Sequence, residues 1–242
     1  MSRMIDNRHI VSAFDRDLEA IQAMLMKMGG QVEEAIGLAI EALSKQDADL
    51  AARVRAGDKA IDAMEQRVNE EAARVIALRQ PIATDLRTVI VVFRISSALE
   101  RIGDYAKNIA KRTGIVLELH PVDGASASLR RMGQLVQAML KDTLDAYIQR
   151  DADLAADVRE RDAEVDQMYN GLFREYLTHM MEDPRNITAC MHLHFMAKNI
   201  ERMGDLCTAV AEQVIYLVTG ELPDEDRPKA DVTSTARGGQ GA

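Results

Sequence analysis

The chain has 242 residues, of which 47% are hydrophobic, and its formal net charge is −9. This length is enough to bury one large core or two small ones. An acidic chain lacks the basic face that binds duplex nucleic acid or a bare anionic membrane, so neither is expected as a direct partner. The first residues lack the apolar segment of a signal peptide, and the two cysteines form no CxxC pair. These features predict a cytoplasmic protein with reduced thiols.

Residues 14–217 have the composition of α-helices almost throughout. Ala, Leu, Met, Glu, Arg and Gln dominate this region, and the alternation typical of strands is absent. Breaks are predicted near residues 44–47, around Pro81, at residues 120–124, near residues 150–151 and at residues 183–184. Six long helices remain, several of about thirty residues and so roughly 45 Å long. The composition changes after Gly220, and residues 221–242 are predicted to be a disordered tail.

The second half of the chain repeats the first. Residues 47–64 and residues 151–168 are identical at eleven of eighteen positions, at an offset of 104. In the last helix of each half the offset is 101, and apolar residues recur at steps of four and three. We call these two rows the seams: Ile95, Leu99, Ile102, Ala106, Ile109, Thr113 and Val116, then Met196, Ile200, Met203, Cys207, Val210, Val214 and Leu217. The change of offset is expected in the connection near Pro81 and Pro184, where a change of length costs little.

This repeat predicts an all-α fold of two tandem, homologous three-helix bundles. Short connections make neighbouring helices antiparallel. The first bundle is assigned to residues 1–120, the second to residues 121–220 and the tail to residues 221–242.

Each half carries one DxxxD and one ExxxD motif beside its buried rows. Asp58 follows Gly57, which we assign to the buried face, and Asp162 likewise follows Arg161. Carboxylates four residues apart on a helix have Cβ atoms about 5–6 Å apart, near enough to share one cation and to repel each other without it. If the rows of adjacent helices meet, four carboxylates converge and a multivalent cation neutralises them. Such ligands suit Mg²⁺, Mn²⁺ or iron without choosing among them.

A glycine lies between the two acids of both ExxxD motifs, in the sequences ERIGD and ERMGD. Glycine inside a helix costs about 1 kcal/mol relative to alanine. The missing side chains of Gly103 and Gly204 either let a neighbouring helix approach or leave room for metal and water. Their presence in both halves indicates a shared purpose.

The duplicated acidic motifs, with LERIGDYAKNIA at residues 99–110, IERMGD at residues 200–205 and VIYLVTGE at residues 214–221, resemble the PhoU family of regulators of phosphate uptake. The resemblance covers residues 14–220. It implies two similar three-helix bundles with multinuclear metal clusters of divalent or trivalent ions, among which Mg, Mn, Fe and Zn are not distinguished. By position, the metal-binding acids are Asp58, Asp62, Glu100, Asp104, Asp162, Asp166, Glu201 and Asp205.

The resemblance also implies a role and partners. It describes a cytoplasmic protein, often a homodimer, that represses the phosphate-starvation response. Such a protein links the ATPase subunit of the phosphate ABC transporter to a sensor histidine kinase, and it meets the membrane only through these partners. One departure is that Asn108 aligns with Ala209, so the two metal sites need not be equivalent.

Two other classes of function stay open beside this regulatory adaptor. An all-α nucleotide pyrophosphohydrolase also holds Mg²⁺ with helical acids, but the chain has no matching ExxE element and no evident nucleophile or base. A di-iron oxidase is disfavoured because the Glu-x-x-His pattern is missing. The last class is a purely structural helical scaffold whose acids are merely solvated.

Two smaller groups have ordinary explanations. His192 and His194 point to different sides of one helix, so they are predicted to be packing or surface residues. Lys107, Lys111 and Arg112 are interpreted as a solvated face, with contacts to phosphate or to a partner's acids as the alternative.

Overall fold

Six long α-helices run through the described chain, as the sequence predicts. The structure, a computed structural model, describes the backbone of residues 2–122 and 124–223. The helices are α1 (Ser2–Lys45), α2 (Ala48–Arg79), α3 (Thr84–Val116), α4 (Ala125–Gln149), α5 (Ala152–Glu182) and α6 (Ile187–Thr219), and a short 3₁₀ helix (Pro184–Asn186) leads into α6. Every regular element within these ranges is a helix. Except for residues 221–223, the predicted tail lies outside the described residues.

The turns from α1 to α2 and from α4 to α5 have the same structure. Gln46 and Arg150 both adopt a left-handed conformation with φ of 55°. The next residue then caps the following helix: Asp47 accepts a hydrogen bond from the backbone N–H of Leu50, and Asp151 from that of Leu154, each at 2.9 Å. The repeated sequence DADLAA is therefore a repeated helix start.

The two halves differ in length where the offset predicts. In the first half four residues connect Arg79, the last residue of α2, to Thr84, the first of α3. In the second half the 3₁₀ helix begins two residues after Glu182 and continues directly into α6. The missing residues are thus absorbed outside the long helices, and both seams keep their spacing.

Each half forms a three-helix bundle around its seam. Helices α1, α2 and α3 contact one another, and so do α4, α5 and α6. Thirteen of the fourteen seam residues are buried, and Val116 is half-buried. The prediction of two homologous three-helix bundles is confirmed. Nowhere in the described chain does a helix have both the length and the apolar character needed to cross a membrane.

The halves meet through two antiparallel helix pairs, α1 with α4 and α3 with α6. Two glycines allow α1 and α4 to approach closely, because a Cβ atom at Gly133 would lie 1.8 Å from Cδ1 of Ile40, and one at Gly29 would lie 2.5 Å from Cδ1 of Leu144. Among the described residues, α2 and α5 contact no helix of the opposite half. Helices α2 and α5 therefore form the outer sides of the molecule.

Candidate functional sites

The four predicted acids of the first half come together between α2 and α3. The pKa of the Glu100 carboxyl is raised first by burial and then by the negative charges of Asp104, Glu65, Asp62 and Asp58. Such mutual repulsion requires that the carboxylates share one region of the surface. Glu65 was not predicted as a member of this group. Its position seven residues after Asp58 on the same helix face is a signal that could have found it.

Lys107 lies within this acidic group. Its ammonium group donates hydrogen bonds to Oδ2 of Asp58 and, at 2.9 Å, to Oδ1 of Asp104. These two hydrogen bonds raise the pKa of Lys107. The pKa of Asp62 is nevertheless raised, first by burial and then by the charge of Asp58. One lysine therefore does not remove all the repulsion among the acids. Lys107 is bonded to two carboxylates, so it is more than part of the solvated face that the sequence suggested.

The placement of two acids beside the buried row of their helices was wrong. Gly57 is exposed, whereas Asp58 is 5% exposed and itself belongs to the buried row. In α5, Asp162 is 2% exposed while the preceding Arg161 is half-buried. The helical period carries the row of α2 from Val54 through position 58, so the acid points inward and needs a partner there.

The acids of the second half are more deeply placed. Asp162, Asp166 and Glu201 are buried, and Asp205 is half-buried. Lys198 Nζ donates a hydrogen bond to Oε1 of Glu201 at 2.7 Å. The equivalent of Glu65 in this half is Tyr169, and the equivalent of Lys107 is Thr208. The two acidic groups are therefore different environments, as the mismatch at Asn108 suggested.

Neither group is arranged as a ready set of metal ligands. Within the part of the chain that the structure describes, no three His, Cys, Asp or Glu side chains are grouped so as to share one ion. In the first half the donor chemistry still fits a hard cation, since oxygen ligands suit such an ion and these carboxylates repel one another. An ammonium group, that of Lys107, provides the positive charge there.

The two motif glycines let the outer helix approach. A Cβ atom at Gly103 would lie 3.1 Å from Cδ1 of Ile61 on α2, and one at Gly204 would lie 3.1 Å from Oδ1 of Asp162 on α5. Both distances are tighter than ordinary packing contacts. The first of the two explanations for these glycines therefore applies: the missing side chain brings α2 close to α3, and α5 close to α6.

Comparison with known proteins identifies the family. A family model described as "PhoU domain" matches residues 25–113 and again residues 129–214. The chain belongs to the PhoU family. A phosphate-specific transport system accessory protein PhoU homolog of Caulobacter vibrioides is 46% identical over 226 residues, which are 93% of this chain and 98% of that protein. The accessory protein PhoU of Escherichia coli K12 is 41% identical over 89% of each chain.

Solved PhoU structures have the same fold. The crystal structure of PhoU from Pseudomonas aeruginosa matches with a TM-score of 0.84 and 40% identity, covering 86% of this chain and 100% of that one. The phosphate transport system regulatory protein PhoU from Streptococcus pneumoniae matches with a TM-score of 0.80 and 32% identity, covering 87% and 99%. The similarity therefore extends over both bundles and the arrangement between them.

His192 and His194 are half-buried in this PhoU-family chain, and Cys190 and Cys207 are buried. His192 Nδ1 lies 3.1 Å from Nη1 of Arg112, and the ring of His194 stacks 5.7 Å from that of Tyr169. Burial and a nearby cation lower the pKa of both histidines, Arg112 acting on His192 and Lys198 on His194. Cys190 and Cys207 are free thiols in the core, and burial raises the pKa of Cys207 to about 12.

Proposed function

We propose that this protein regulates phosphate uptake and acts as a negative regulator of the phosphate-starvation response. The observation that carries the proposal is the extent of the similarity. The Caulobacter relative, which is named as an accessory protein of the phosphate-specific transport system, aligns over 98% of its own length. The likeness therefore includes the whole two-bundle architecture, and a shared function is the simplest explanation for it.

The proposed mode of action is that of an adaptor without chemistry of its own. Its partners are the ATPase subunit of the phosphate ABC transporter and the sensor histidine kinase of the phosphate two-component system, both met in the cytoplasm by a homodimer. Exposed apolar side chains at the tips of the bundles support a docking role, since Ile82 is 79% exposed and Met181 is 85% exposed. Contiguous exposed apolar surface is typical of sites that meet other proteins.

We also propose that the acidic groups bind metal ions. In the first half, Asp58, Asp62, Glu100 and Asp104 would hold a divalent or trivalent cation of Mg, Mn, Fe or Zn in competition with the ammonium group of Lys107. The ion would supply positive charge that ties α2 to α3. The raised pKa values of Glu100 and Asp62 support this, because carboxylates that repel one another are stabilised in their ionised form by an added cation. The equivalent acids of the second half, Asp162, Asp166, Glu201 and Asp205, are proposed as a second and less accessible site.

An enzymatic role is the alternative. A pyrophosphohydrolase would hold a nucleotide and its Mg²⁺ together, so the assay is hydrolysis of nucleoside triphosphates by the purified, metal-loaded protein. We expect no turnover above that of a variant with Glu100 and Asp104 replaced by alanine. A structural scaffold would bind neither metal nor the transport partners, so metal analysis and co-purification separate it from the adaptor.

Deletion of the gene tests the regulatory proposal. In the native bacterium grown in abundant phosphate, we expect alkaline phosphatase and transporter expression to stay high in the deletion strain and to fall again when the gene is restored. Affinity purification from the restored strain should recover the transporter's ATPase subunit or the sensor kinase. Normal repression in a deletion strain that has no second copy of the gene would contradict the proposal.

A further inference from the structure

A cleft lies on the surface where α3 of the first half crosses α6 of the second. Its volume is about 630 Å³. Small-molecule sites in proteins have volumes of roughly 300–1,000 Å³. The cleft combines three cationic side chains, Arg112, Lys198 and Arg202, with a wall of aromatic side chains that includes Tyr105 and Phe195. None of the described residues that line it is acidic, although the whole chain carries a net charge of −9.

The cations of the cleft lie against its rings. The guanidinium carbon of Arg112 lies 4.4 Å from the ring centroid of Phe195, and that of Arg202 lies 6.0 Å from the ring centroid of Tyr105. Stacking of this kind holds a guanidinium group in place and leaves its N–H edge to bind an anion. The cleft therefore offers positioned donors for anionic oxygens beside ring faces.

The duplicated fold provides an internal comparison. A second cleft of about 380 Å³ lies at the other end of the same helix pair. Eight of the nine described residues that line it are equivalent, at the offset of 101, to residues of the first cleft. Five positions that are polar or charged in the first cleft are small or apolar in the second. Lys198 corresponds to Ser97, Asn199 to Ala98, His194 to Phe93, Tyr105 to Leu206 and Asn108 to Ala209.

The crossing contact also differs between the two clefts. In the smaller cleft, Arg94 of α3 donates a hydrogen bond to Oε1 of Gln213 on α6 at 2.9 Å. At the equivalent positions of the larger cleft, Phe195 takes the place of Arg94 and Arg112 the place of Gln213. A hydrogen bond between two polar side chains in the smaller cleft is thus replaced, in the larger cleft, by a cation beside an aromatic ring. The larger of the two equivalent clefts therefore carries more cationic and more aromatic side chains than the smaller one.

From this divergence we propose that the cleft of Arg112, Lys198 and Arg202 binds a nucleoside di- or triphosphate. The guanidinium groups of Arg112 and Arg202, with Lys198 beside Glu201, match the charge of a phosphate chain. The partly exposed rings of Tyr105 and Phe195 match the flat face of a base. An inorganic anion would use the cations alone, and an uncharged aromatic molecule would use the rings alone. With no acid in the described lining to hold a metal ion against the phosphates, the cleft binds the nucleotide without hydrolysing it. This cleft adjoins the second acidic group, because Lys198 also donates a hydrogen bond to Glu201, and it does not depend on the proposed regulatory function.

Calorimetric titration of the full-length protein in the absence of divalent cations tests the proposal. The probes are ADP, ATP, adenosine and inorganic phosphate. We expect ADP and ATP to bind, with adenosine and inorganic phosphate at least about tenfold weaker, because each lacks one of the two kinds of contact. Arg202→Ala should lower the affinity for ADP by about tenfold or more.

The repeat supplies the controls. Arg101 occupies the position of Arg202 in the smaller cleft, so Arg101→Ala should leave ADP binding unchanged. Tyr105→Leu introduces the residue that the smaller cleft carries at the equivalent position. This substitution should lower the affinity for ADP several-fold and leave the circular dichroism spectrum unchanged. The proposal is overturned if ADP and ATP do not bind at millimolar concentration, if inorganic phosphate binds as tightly as ADP, or if Arg101→Ala and Arg202→Ala have equal effects.

Discussion

Lys107 of α3 donates a hydrogen bond to the carboxylate of Asp58 on α2, and this acid is 5% exposed. A cation beside it offsets part of the cost of burying an ionised carboxylate. The lysine is a partner that a second cation can replace, because its own side chain is 40% exposed and is free to turn toward solvent once displaced. If the proposed metal ion binds here, it would compete with this ammonium group, and the balance between the two would set how firmly α2 is held to α3.

Replacement of Lys107 by alanine should destabilise the metal-free protein. Asp58 would lose its cation while staying buried, and the exposure of the lysine limits the loss to about 1 kcal/mol. Urea denaturation in the presence of a chelator measures the change. Addition of Mn²⁺ should then stabilise the variant more than the wild type, because no ammonium group has to be displaced.

Lys111 provides the control for this experiment. It lies one turn further along α3 and is exposed. Lys111→Ala should therefore leave both the stability and the effect of Mn²⁺ near those of the wild type. If the two lysine variants behave alike, Lys107 does not neutralise the acidic group in solution.

Replacement of Glu100 and Asp104 together by alanine should remove metal from the first site. Helicity should be unchanged, because both side chains flank the core without filling it. Metal content measured by plasma mass spectrometry on the gently purified protein should fall by the occupancy of one site. Asp85→Asn, an exposed acid near the start of α3, is the control. Unchanged metal content in this pair and in the Glu201 and Asp205 pair would contradict the metal proposal.

The helices, their breaks and the two seams could be predicted because they depend on periodicity within single helices. Ile102 and Met203 are apolar at core spacing, so their burial follows from sequence alone. The repeat DADLAA at Asp47 and Asp151 is likewise a local capping signal. Such features need no knowledge of how one helix lies against another.

The details of the sites could not be predicted in the same way. A charged residue at position 58 resembles a surface residue until its partner is known, and that partner, Lys107, is on another helix. The cleft between α3 and α6 likewise needs Tyr105 and Arg202 to be brought together from different halves. Both depend on the relative placement of helices, which periodicity does not describe.

The close approach of α1 and α4 predicts opposite effects for two glycines. Gly133→Ala should destabilise the protein by about 1–2 kcal/mol, because its Cβ would lie 1.8 Å from Ile40 and the gain in helix propensity does not compensate. Gly30→Ala should stabilise it by about 0.5–1 kcal/mol, since a Cβ there meets nothing within 4 Å. Thermal and urea denaturation of both variants measure the difference. Equal effects would show that the halves do not pack this closely.

The raised pKa of Glu100 predicts how stability depends on pH in the metal-free protein. Burial and neighbouring carboxylates raise the pKa of Glu100 in the folded state above its usual value of 4.5. The folded state therefore holds this proton more tightly than the unfolded state, so stability is lost as pH rises from that value through the folded pKa. Glu100→Gln removes the charge and should stabilise the protein at pH 7.

The advantage of this variant should shrink as the pH falls and should vanish once Glu100 is protonated in both states. Urea denaturation with a chelator from pH 4 to pH 7 measures it, with Asp85→Asn as the control. Metal should reverse the result, because a bound cation makes the ionised carboxylate the favoured form. In saturating Mn²⁺ at pH 7 the wild type should therefore be more stable than the Glu100→Gln variant. An advantage of the variant that is independent of pH and of metal would mean that Glu100 does not feel the charges of Asp62 and Asp104.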